Sequence, residues 1–127
     1  MLSWLTAVVS GRQALRRSLS TSAVLLSTIG LTAALAEEAK RSELDHGRDV
    51  FTQLAQPPCA ACHALVDAGA SGNVGPDLDD LQPSRQEVVT AVTEGIETMP
   101  AYGATLSQDQ INSVAAYVPS VSRAATN

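Results

Sequence analysis

Two cysteines and a histidine lie within five residues of one another, in the segment CAACH at positions 59–63. Cys59 and Cys62 are the only cysteines of the chain. Two thiols separated by two residues and followed by an imidazole can form a redox-active disulfide, contribute half of a zinc site, or attach a haem covalently. The surrounding sequence has to distinguish these three chemistries.

The zinc and disulfide interpretations lack the surroundings that they need. A structural zinc site takes four protein ligands, and beside the two cysteines the sequence offers only His46 and His63, without a second cluster. A thioredoxin-like pair follows a strand in a βαβ unit, and no such pattern precedes Cys59. Covalent haem attachment is therefore favoured. C-x-x-C-H is its signature, because the thiols can bond the two porphyrin vinyl groups while the imidazole lies over the iron.

A low-spin haem also needs a second axial ligand, and one residue is placed to supply it. Met99 is the only methionine besides Met1, and it lies 36 residues after His63, directly before Pro100. Methionine opposite histidine raises the reduction potential of haem iron. A methionine in a Met-Pro loop is better placed to face a cofactor than to pack a helix interface. We therefore predict His63 and Met99 as the iron ligands.

Residues 1–36 contain no acidic residue and are typical of a cleaved leader. Three arginines precede an uncharged stretch at 18–36 that is rich in Ala, Leu and Val and ends in Ala-Leu-Ala. This order predicts a secretory signal cleaved after Ala36, with 37–127 as the mature domain. The periplasm is the expected compartment. Import into an organelle intermembrane space or thylakoid lumen is the alternative, since the leader is rich in arginine and serine.

The predicted mature domain is small, acidic and poor in aromatic residues. Its 91 residues carry five basic and 13 acidic side chains, a formal charge of −8, so nucleic acid and anionic membrane surfaces are poor partners. Phe51, Tyr102 and Tyr117 are its only aromatic residues. A chain of this size with so few large apolar side chains needs a cofactor or another reinforcement to complete its core.

Three helices are predicted. Apolar residues at three- and four-residue intervals, or sums of these, indicate a short helix over 44–54. Capping boxes that begin at Ser84 and Ser107 predict two further helices, which we expect to end at Gly95 and Pro119.

Irregular chain is expected between these helices, and no strand is predicted. The charged lead-in at 37–42 is expected to be frayed. Residues 67–83, rich in Gly, Asp and Pro, are expected to form an extended loop, and a loop of this length inside a small domain usually wraps something or serves a function. The pattern therefore indicates an all-α fold that lacks a centre of its own.

Four segments, in this order, resemble a class I c-type cytochrome, a small monohaem electron carrier: HGRDVF at 46–51, GPDL at 75–78, MPAYG at 99–103 and VAAYV at 114–118. The resemblance, which covers 44–118, implies the all-α cytochrome c fold, with three main helices and long loops around one covalently bound haem c and its iron. It also implies electron transfer between redox proteins, with a dehydrogenase as donor and an oxidase or another cytochrome as acceptor. No catalysis and no stable membrane anchor are expected.

The same resemblance implies roles for residues of the loops. The carbonyl of Pro76 would accept a hydrogen bond from the axial imidazole, and Leu78 would pack near the porphyrin. Tyr102 would either donate a hydrogen bond to a haem propionate or cover the haem edge. The predicted cofactor-binding residues are thus Cys59, Cys62, His63, Pro76, Leu78, Met99 and Tyr102.

Other residues of these segments are predicted to have structural or solvent-exposed roles. Gly47 and Phe51 would allow the first helix to pack closely on the last, with Tyr117 as the partner aromatic. We expect His46, between Asp45 and Gly47 on the first helix, to be exposed to solvent. The acidic residues at 77–80 would form a solvated loop or steer a basic partner.

Three alternatives stay open at this stage. Several segments are also similar to the haem subunit of bacterial sulfite dehydrogenases, which would make the chain a permanent subunit beside a molybdenum protein. A haem enzyme or gas sensor would require Met99 to dissociate from the iron. The third alternative is a haem-free thiol–disulfide redox protein.

Overall fold

The computed structural model describes residues 20–122, with side chains described from residue 33 onward. The arginines of the predicted leader lie outside the described residues. Contacts divide the chain into two units, Met1–Glu38 and Ala39–Asn127, and the buried core residues belong to the second unit. The boundary falls two residues after Ala36, where cleavage is predicted. Within residues 20–122, no helix has both the length and the apolar character needed to cross a bilayer.

Helices dominate the described part of the chain. The elements in chain order are α1 (Ser20–Asp49), a π-helical turn (Val50–Leu54), a 3₁₀ turn (Cys59–Ala61), β1 (Ala64–Leu65), β2 (Ala70–Ser71), α2 (Leu78–Leu81), α3 (Arg85–Glu94) and α4 (Gln108–Val121). A small antiparallel pair of two-residue strands lies between the 3₁₀ turn and α2. The three predicted helices are all present.

The first helix is longer than predicted. Residues 37–42 lie inside α1, so the expectation of a frayed lead-in was wrong. No glycine or proline occurs between residues 31 and 46, and these residue types are the ones that most strongly interrupt a helix. The end of the helix loosens into the π-helical turn before Pro57 and Pro58, where the sequence predicted the stop.

Close packing of α1 on α4 depends on Gly47. A Cβ atom at this position would lie 2.6 Å from the Cβ of Tyr117 and would also clash with the carbonyl group of Ser113. One turn later, the rings of Phe51 and Tyr117 meet edge to face, with their centroids 6.3 Å apart. The predicted packing of Gly47 and Phe51 against the last helix is confirmed.

Both predicted capping boxes are confirmed. The Ser84 hydroxyl accepts from the amide of Glu87 at 3.3 Å, and the Glu87 carboxylate accepts from the amide of Ser84 at 2.7 Å. Ser107 and Gln110 make the same reciprocal pair at the start of α4. Each box satisfies two amides that a helix start otherwise leaves without partners.

The end predicted for the last helix was wrong, because α4 continues through Pro119 to Val121. Proline removes one amide donor from the helix. The last turn is nonetheless retained, because the Ser122 amide donates to the carbonyl of Val118 at 3.0 Å and the Ser120 hydroxyl donates to that of Tyr117 at 2.6 Å. Val118 and Ser122 are buried, so packing against the core holds this turn in place.

The segment 67–83 is more ordered than the predicted irregular loop. It contains β2, which pairs with β1, and the single helical turn α2. The Asp77 side chain caps α2 by accepting from the amide of Asp79, and the Asp79 carboxylate accepts from the amide of Val66 beside β1 at 2.7 Å. The bond between Val66 and Asp79 joins residues 13 positions apart, so no local sequence pattern predicts it.

The core of the second unit lies where α3 packs on α4 and α4 packs on the π-helical turn. Its buried side chains come from these elements and from β1: Val50, Phe51, Leu65, Val88, Val92, Ile111, Val114, Ala115, Tyr117 and Val118. They are mostly of medium size, as the composition indicated, and five of them also line a cavity: Phe51, Val88, Val92, Val114 and Val118.

Replacing Tyr117 by Phe should lower the free energy of unfolding by about 1–3 kcal/mol at pH 7, because its hydroxyl donates to a carboxylate oxygen of Asp67 at 2.6 Å. Burial and this hydrogen bond raise the pKa of Tyr117. The unfolded tyrosine ionises near pH 10, so the wild-type protein loses this stabilisation as the pH rises above that value. Denaturant unfolding should therefore show a smaller difference in the free energy of unfolding between the wild-type protein and the Tyr117→Phe variant at pH 11 than at pH 7. Equal differences at both values would contradict this role.

Candidate functional site

A cavity of about 510 Å³ opens within the second unit. This volume lies within the range of about 300–1,000 Å³ that is usual for cofactor and ligand sites. Its walls come from the 3₁₀ turn, the segment 74–83, α3, the segment 96–102 and α4. All seven predicted cofactor-binding residues line it: Cys59, Cys62, His63, Pro76, Leu78, Met99 and Tyr102.

The two cysteines are brought together on one wall by the 3₁₀ turn. The amides of Cys62 and His63 both donate to the carbonyl of Cys59, at 3.1 and 3.0 Å. Both thiols are free. Burial raises the pKa of Cys59 to about 11, whereas the attacking cysteine of a redox disulfide has a lowered pKa. The environment of Cys59 therefore does not favour thiolate chemistry.

The imidazole of His63 has a fixed orientation. Its Nδ1 lies 2.9 Å from the carbonyl oxygen of Pro76, as the resemblance implied. Because a carbonyl oxygen only accepts, Nδ1 carries the proton and the lone pair resides on Nε2. An orienting bond of this kind is typical of metal-binding histidines, and it leaves Nε2 free to coordinate.

Two glycines bring the segment after β2 against the cysteine and histidine. The amides of Val74 and Gly75 donate to the carbonyl of Cys62 at 3.1 and 2.9 Å. A Cβ at Gly75 would lie 2.5 Å from Cε1 of His63, and one at Gly72 would lie 2.6 Å from the His63 amide nitrogen. Sequence reasoning missed both glycines, and the available signal was the glycine directly before Pro76.

Replacing Gly75 by Ala should displace the His63 ring, because the new methyl group would occupy the space of Cε1. We expect the free energy of unfolding to fall by about 1–3 kcal/mol, the usual cost of overpacking. Denaturant unfolding followed by circular dichroism measures this change. Asn73→Ala is the control, since Asn73 is an exposed residue of the same segment. Equal stability of the two variants would contradict the contact.

Met99 is presented by a tight turn after α3. Its amide donates to the carbonyl of Ile96 at 2.8 Å, and the Ile96 amide donates back to the carbonyl of Met99 at 3.3 Å. Glu97, inside this turn, has a left-handed backbone with φ of 51°. Gly95 also has a positive φ, 75°, and a Cβ there would lie 2.7 Å from the Met99 carbonyl oxygen. Gly95, the glycine that ends α3, thus also lets the segment of Met99 pack closely against the end of this helix.

Tyr102 lines the cavity, but its hydroxyl is already bonded. It donates to the carbonyl of Pro57 at 2.8 Å, and burial raises the pKa of Tyr102. The predicted alternative of a hydrogen bond to a haem propionate therefore lacks support, since the single proton of the hydroxyl is committed elsewhere. Covering the cofactor edge stays a prediction. The Tyr102 amide also donates to the carbonyl of Val92, which ties the segment to α3.

Apolar positions of the helices form most of the remaining cavity wall. The sequence indicated these residues only as a helix core: Phe51, Val88, Val92, Val114 and Val118. His46 is exposed, as predicted, and does not line the cavity. Residues 20–122 contain no group of three or more His, Cys, Asp or Glu side chains arranged to hold a metal ion.

A small helical domain whose cavity collects a C-x-x-C-H motif, an oriented imidazole and a methionine defines a c-type cytochrome. Residues 42–118 match the family described as cytochrome c oxidase, cbb3-type, subunit III, and the chain belongs to this family of c-type cytochromes. It is a class I monohaem cytochrome with the cytochrome c fold, it binds covalent haem c with its iron, and it carries electrons.

Curated relatives and a solved structure agree with this assignment. Cytochrome c6 of Nostoc sp. is 33% identical over 102 residues, covering 76% of this chain and 87% of the relative. Cytochrome c6 of Bumilleriopsis filiformis is 35% identical over 89 residues, covering 64% of this chain and 94% of the relative. The crystal structure of the c-type cytochrome SorU from Sinorhizobium meliloti is 46% identical with a TM-score of 0.63, covering 65% of this chain and 93% of that one.

Proposed function

We propose that this cytochrome holds its haem through thioether bonds from Cys59 and Cys62 and ligates the iron with His63 and Met99. The observation that carries this proposal is the hydrogen bond from His63 Nδ1 to the Pro76 carbonyl, which leaves Nε2 free within a cavity that Met99 also lines. The two thiols on the same wall fit covalent attachment, and the clearance left by Gly75 fits a fixed imidazole.

The bound haem supplies a one-electron couple, and the chain's own residues set its surroundings. Pro76 orients the imidazole, and the turn at 96–99 presents the methionine sulfur. Leu78, Val88 and Val92 supply a buried apolar wall that excludes water from the cavity. Exclusion of water and a thioether ligand both favour the reduced state and hence a high reduction potential.

If His63 and Met99 both ligate the iron as proposed, no coordination site would be left for a substrate or for oxygen. The chain therefore acts as an electron carrier between redox proteins, not as a catalyst. A haem enzyme or gas sensor would need Met99 to leave the iron, and the two backbone hydrogen bonds between Met99 and Ile96 support a fixed Met99 segment instead. A thiol–disulfide protein would need a nucleophilic cysteine, and burial of Cys59 opposes that role.

The holoprotein is expected to be reduced completely by ascorbate and to show a reversible one-electron titration. This result follows from a histidine–methionine ligand pair in a water-excluding site, which places the potential at the upper part of the range for haem proteins. Spectroelectrochemistry with a fit to the number of electrons measures it. Failure of ascorbate to reduce the protein, or a two-electron couple, would count against the proposed function.

The compartment and the lifetime of the complexes are also proposed. We propose export to the periplasm after cleavage at Ala36, which is supported by the order of charged, apolar and small residues in the leader and by the contact boundary at Glu38.

A mobile carrier is proposed in preference to a permanent sulfite dehydrogenase subunit. The support is that the exposed large apolar side chains at the cavity are only Val74, Leu81 and Ile96 in the described part of the chain, and permanent interfaces are larger and more apolar.

A further inference from the structure

Charge is distributed unevenly around the cavity. Among the described residues that line it, the carboxylates are Glu87 and Glu97, and no lysine or arginine is present. Glu87 and Glu97 are both exposed. The backbone amide and the hydroxyl of Ser84 lower the pKa of Glu87, which keeps this carboxylate ionised at neutral pH. The cavity opening is therefore a negatively charged surface.

The basic side chains whose contacts are described lie elsewhere. Arg48, near the end of α1, donates to the carbonyl of Asp67, and Arg85 pairs with Glu43 of α1 at 3.2 Å. Lys40 and Arg41 lie on α1 and do not line the cavity. A haem brings two propionate carboxylates of its own. Since no lysine or arginine of the described residues lines the cavity, a bound haem would add two carboxylates to this site without a cationic side chain to neutralise them.

Exposed apolar side chains gather at the same place. Six large apolar side chains are exposed in the described part of the chain, and three of them line the cavity. These three are Val74, Leu81 and Ile96, which are 71%, 55% and 56% exposed. They come from three different segments that the fold brings together around one opening. Exposed apolar residues that cluster beside charged ones are typical of a protein–protein contact.

We propose that this surface, formed by Val74, Leu81, Ile96, Glu87 and Glu97 and here called the mouth face, docks redox proteins that present lysine or arginine around an apolar contact. The inference rests on the proposed function, because it names the partner class for the same haem site. Charge complementarity carries it: an acidic opening attracts a basic surface and repels an acidic one, chiefly through the association rate. The acidic residues Asp77, Asp79 and Asp80, which the sequence suggested for this role, do not line the cavity.

The first test compares the oxidation of the reduced holoprotein by a cation, tris(phenanthroline)cobalt(III), and by an anion, ferricyanide, over a series of ionic strengths. The variant Glu87→Gln/Glu97→Gln removes both charges, and glutamine preserves the capping box with Ser84. The control variant Asp45→Asn/Asp109→Asn changes the net charge equally at exposed positions that do not line the cavity.

At low salt we expect the mouth-face variant to react several-fold more slowly with the cation and several-fold faster with the anion, with weaker salt dependence for both. The control variant should stay close to the wild-type protein. Equal changes in the two variants would show that net charge alone matters, and unchanged rates in both would show that electrons leave by another surface. Either result overturns the proposal.

The second test addresses the apolar part of the mouth face, with a basic mitochondrial cytochrome c as the protein probe. Val74→Ser/Ile96→Ser should lower the second-order rate constant several-fold even at high salt, while Val66→Ser should leave it unchanged. Val66 is 74% exposed but does not line the cavity. Equal rates for all three proteins would refute the apolar contact.

Failure of this inference can be distinguished from failure of the proposed function. The visible spectrum and reduction potential of each variant are recorded before its kinetics. If the wild-type protein shows no reversible one-electron couple, the proposed function fails. If the couple is present and unchanged in the variants but the rates do not respond, only the docking inference fails.

Discussion

Replacing Met99 by Ala is expected to lower the reduction potential on the order of 0.1 V or more, within the range of about 0.8 V over which axial ligands set haem potentials. The substitution would remove the proposed sulfur ligand, and with it the preference for the reduced iron. The turn that carries residue 99 should survive, because it is held by backbone hydrogen bonds between Ile96 and Met99, which the substitution leaves intact. The visible spectrum should change at the same time to that of an iron with an open or water-filled position.

Thr98→Ala is the matched control for this experiment. Thr98 precedes Met99 in the same turn and also lines the cavity, but its side chain has no role in the proposed ligation. Its potential and spectrum should match those of the wild-type protein. A Met99→Ala protein with an unchanged spectrum would refute the assignment of Met99, and equal shifts in both variants would attribute the effect to the turn.

The double substitution Cys59→Ala/Cys62→Ala is expected to abolish covalent haem attachment and most of the stability. At about 24 cal/mol per Å³, an empty cavity of about 510 Å³ costs on the order of 10 kcal/mol, as an upper limit because water enters through the opening. Domains of this kind have a total stability of about 5–15 kcal/mol. We therefore expect no cooperative unfolding transition in the haem-free variant when it is followed by circular dichroism.

The control for the cysteine variant is Ala60→Ser/Ala61→Ser, which changes the residues between the two thiols and leaves the thiols intact. It should retain haem through extraction with acidified acetone and should unfold cooperatively. A cysteine-free protein that stays folded without haem would contradict the idea that the cofactor completes the core. One that keeps haem through the extraction would contradict the attachment residues.

The sequence predicted those features that depend on local chemistry. A capping box consists of residues three apart, so Ser84 and Ser107 indicated the starts of α3 and α4. The C-x-x-C-H motif is equally local, and together with Met99 and the lack of a second metal-ligand cluster in the sequence it indicated a haem. The packing of Gly47 against α4 came from resemblance to a family, since a single glycine in a helix does not identify its neighbour.

Features fixed by distant contacts were missed. The turn α2 has only four residues, and it is anchored by the bond from the Val66 amide to the Asp79 carboxylate, 13 positions apart. The bond from Tyr102 to the Pro57 carbonyl spans 45 positions. Helix α4 passes Pro119 because packing of Ser122 and Val118 outweighs one lost hydrogen bond. In each case tertiary structure determines the outcome, and no local pattern could show it.

We propose, above all, that a haem bonded to Cys59 and Cys62 occupies the cavity and supplies the interior that the chain lacks. Intact mass spectrometry tests it most directly, on protein produced in a host able to attach haem c and then extracted with acidified acetone. We expect a mass equal to the polypeptide plus one haem, with the haem located by peptide mapping on the fragment that contains CAACH. A folded, colourless protein with the mass of the polypeptide alone would contradict it.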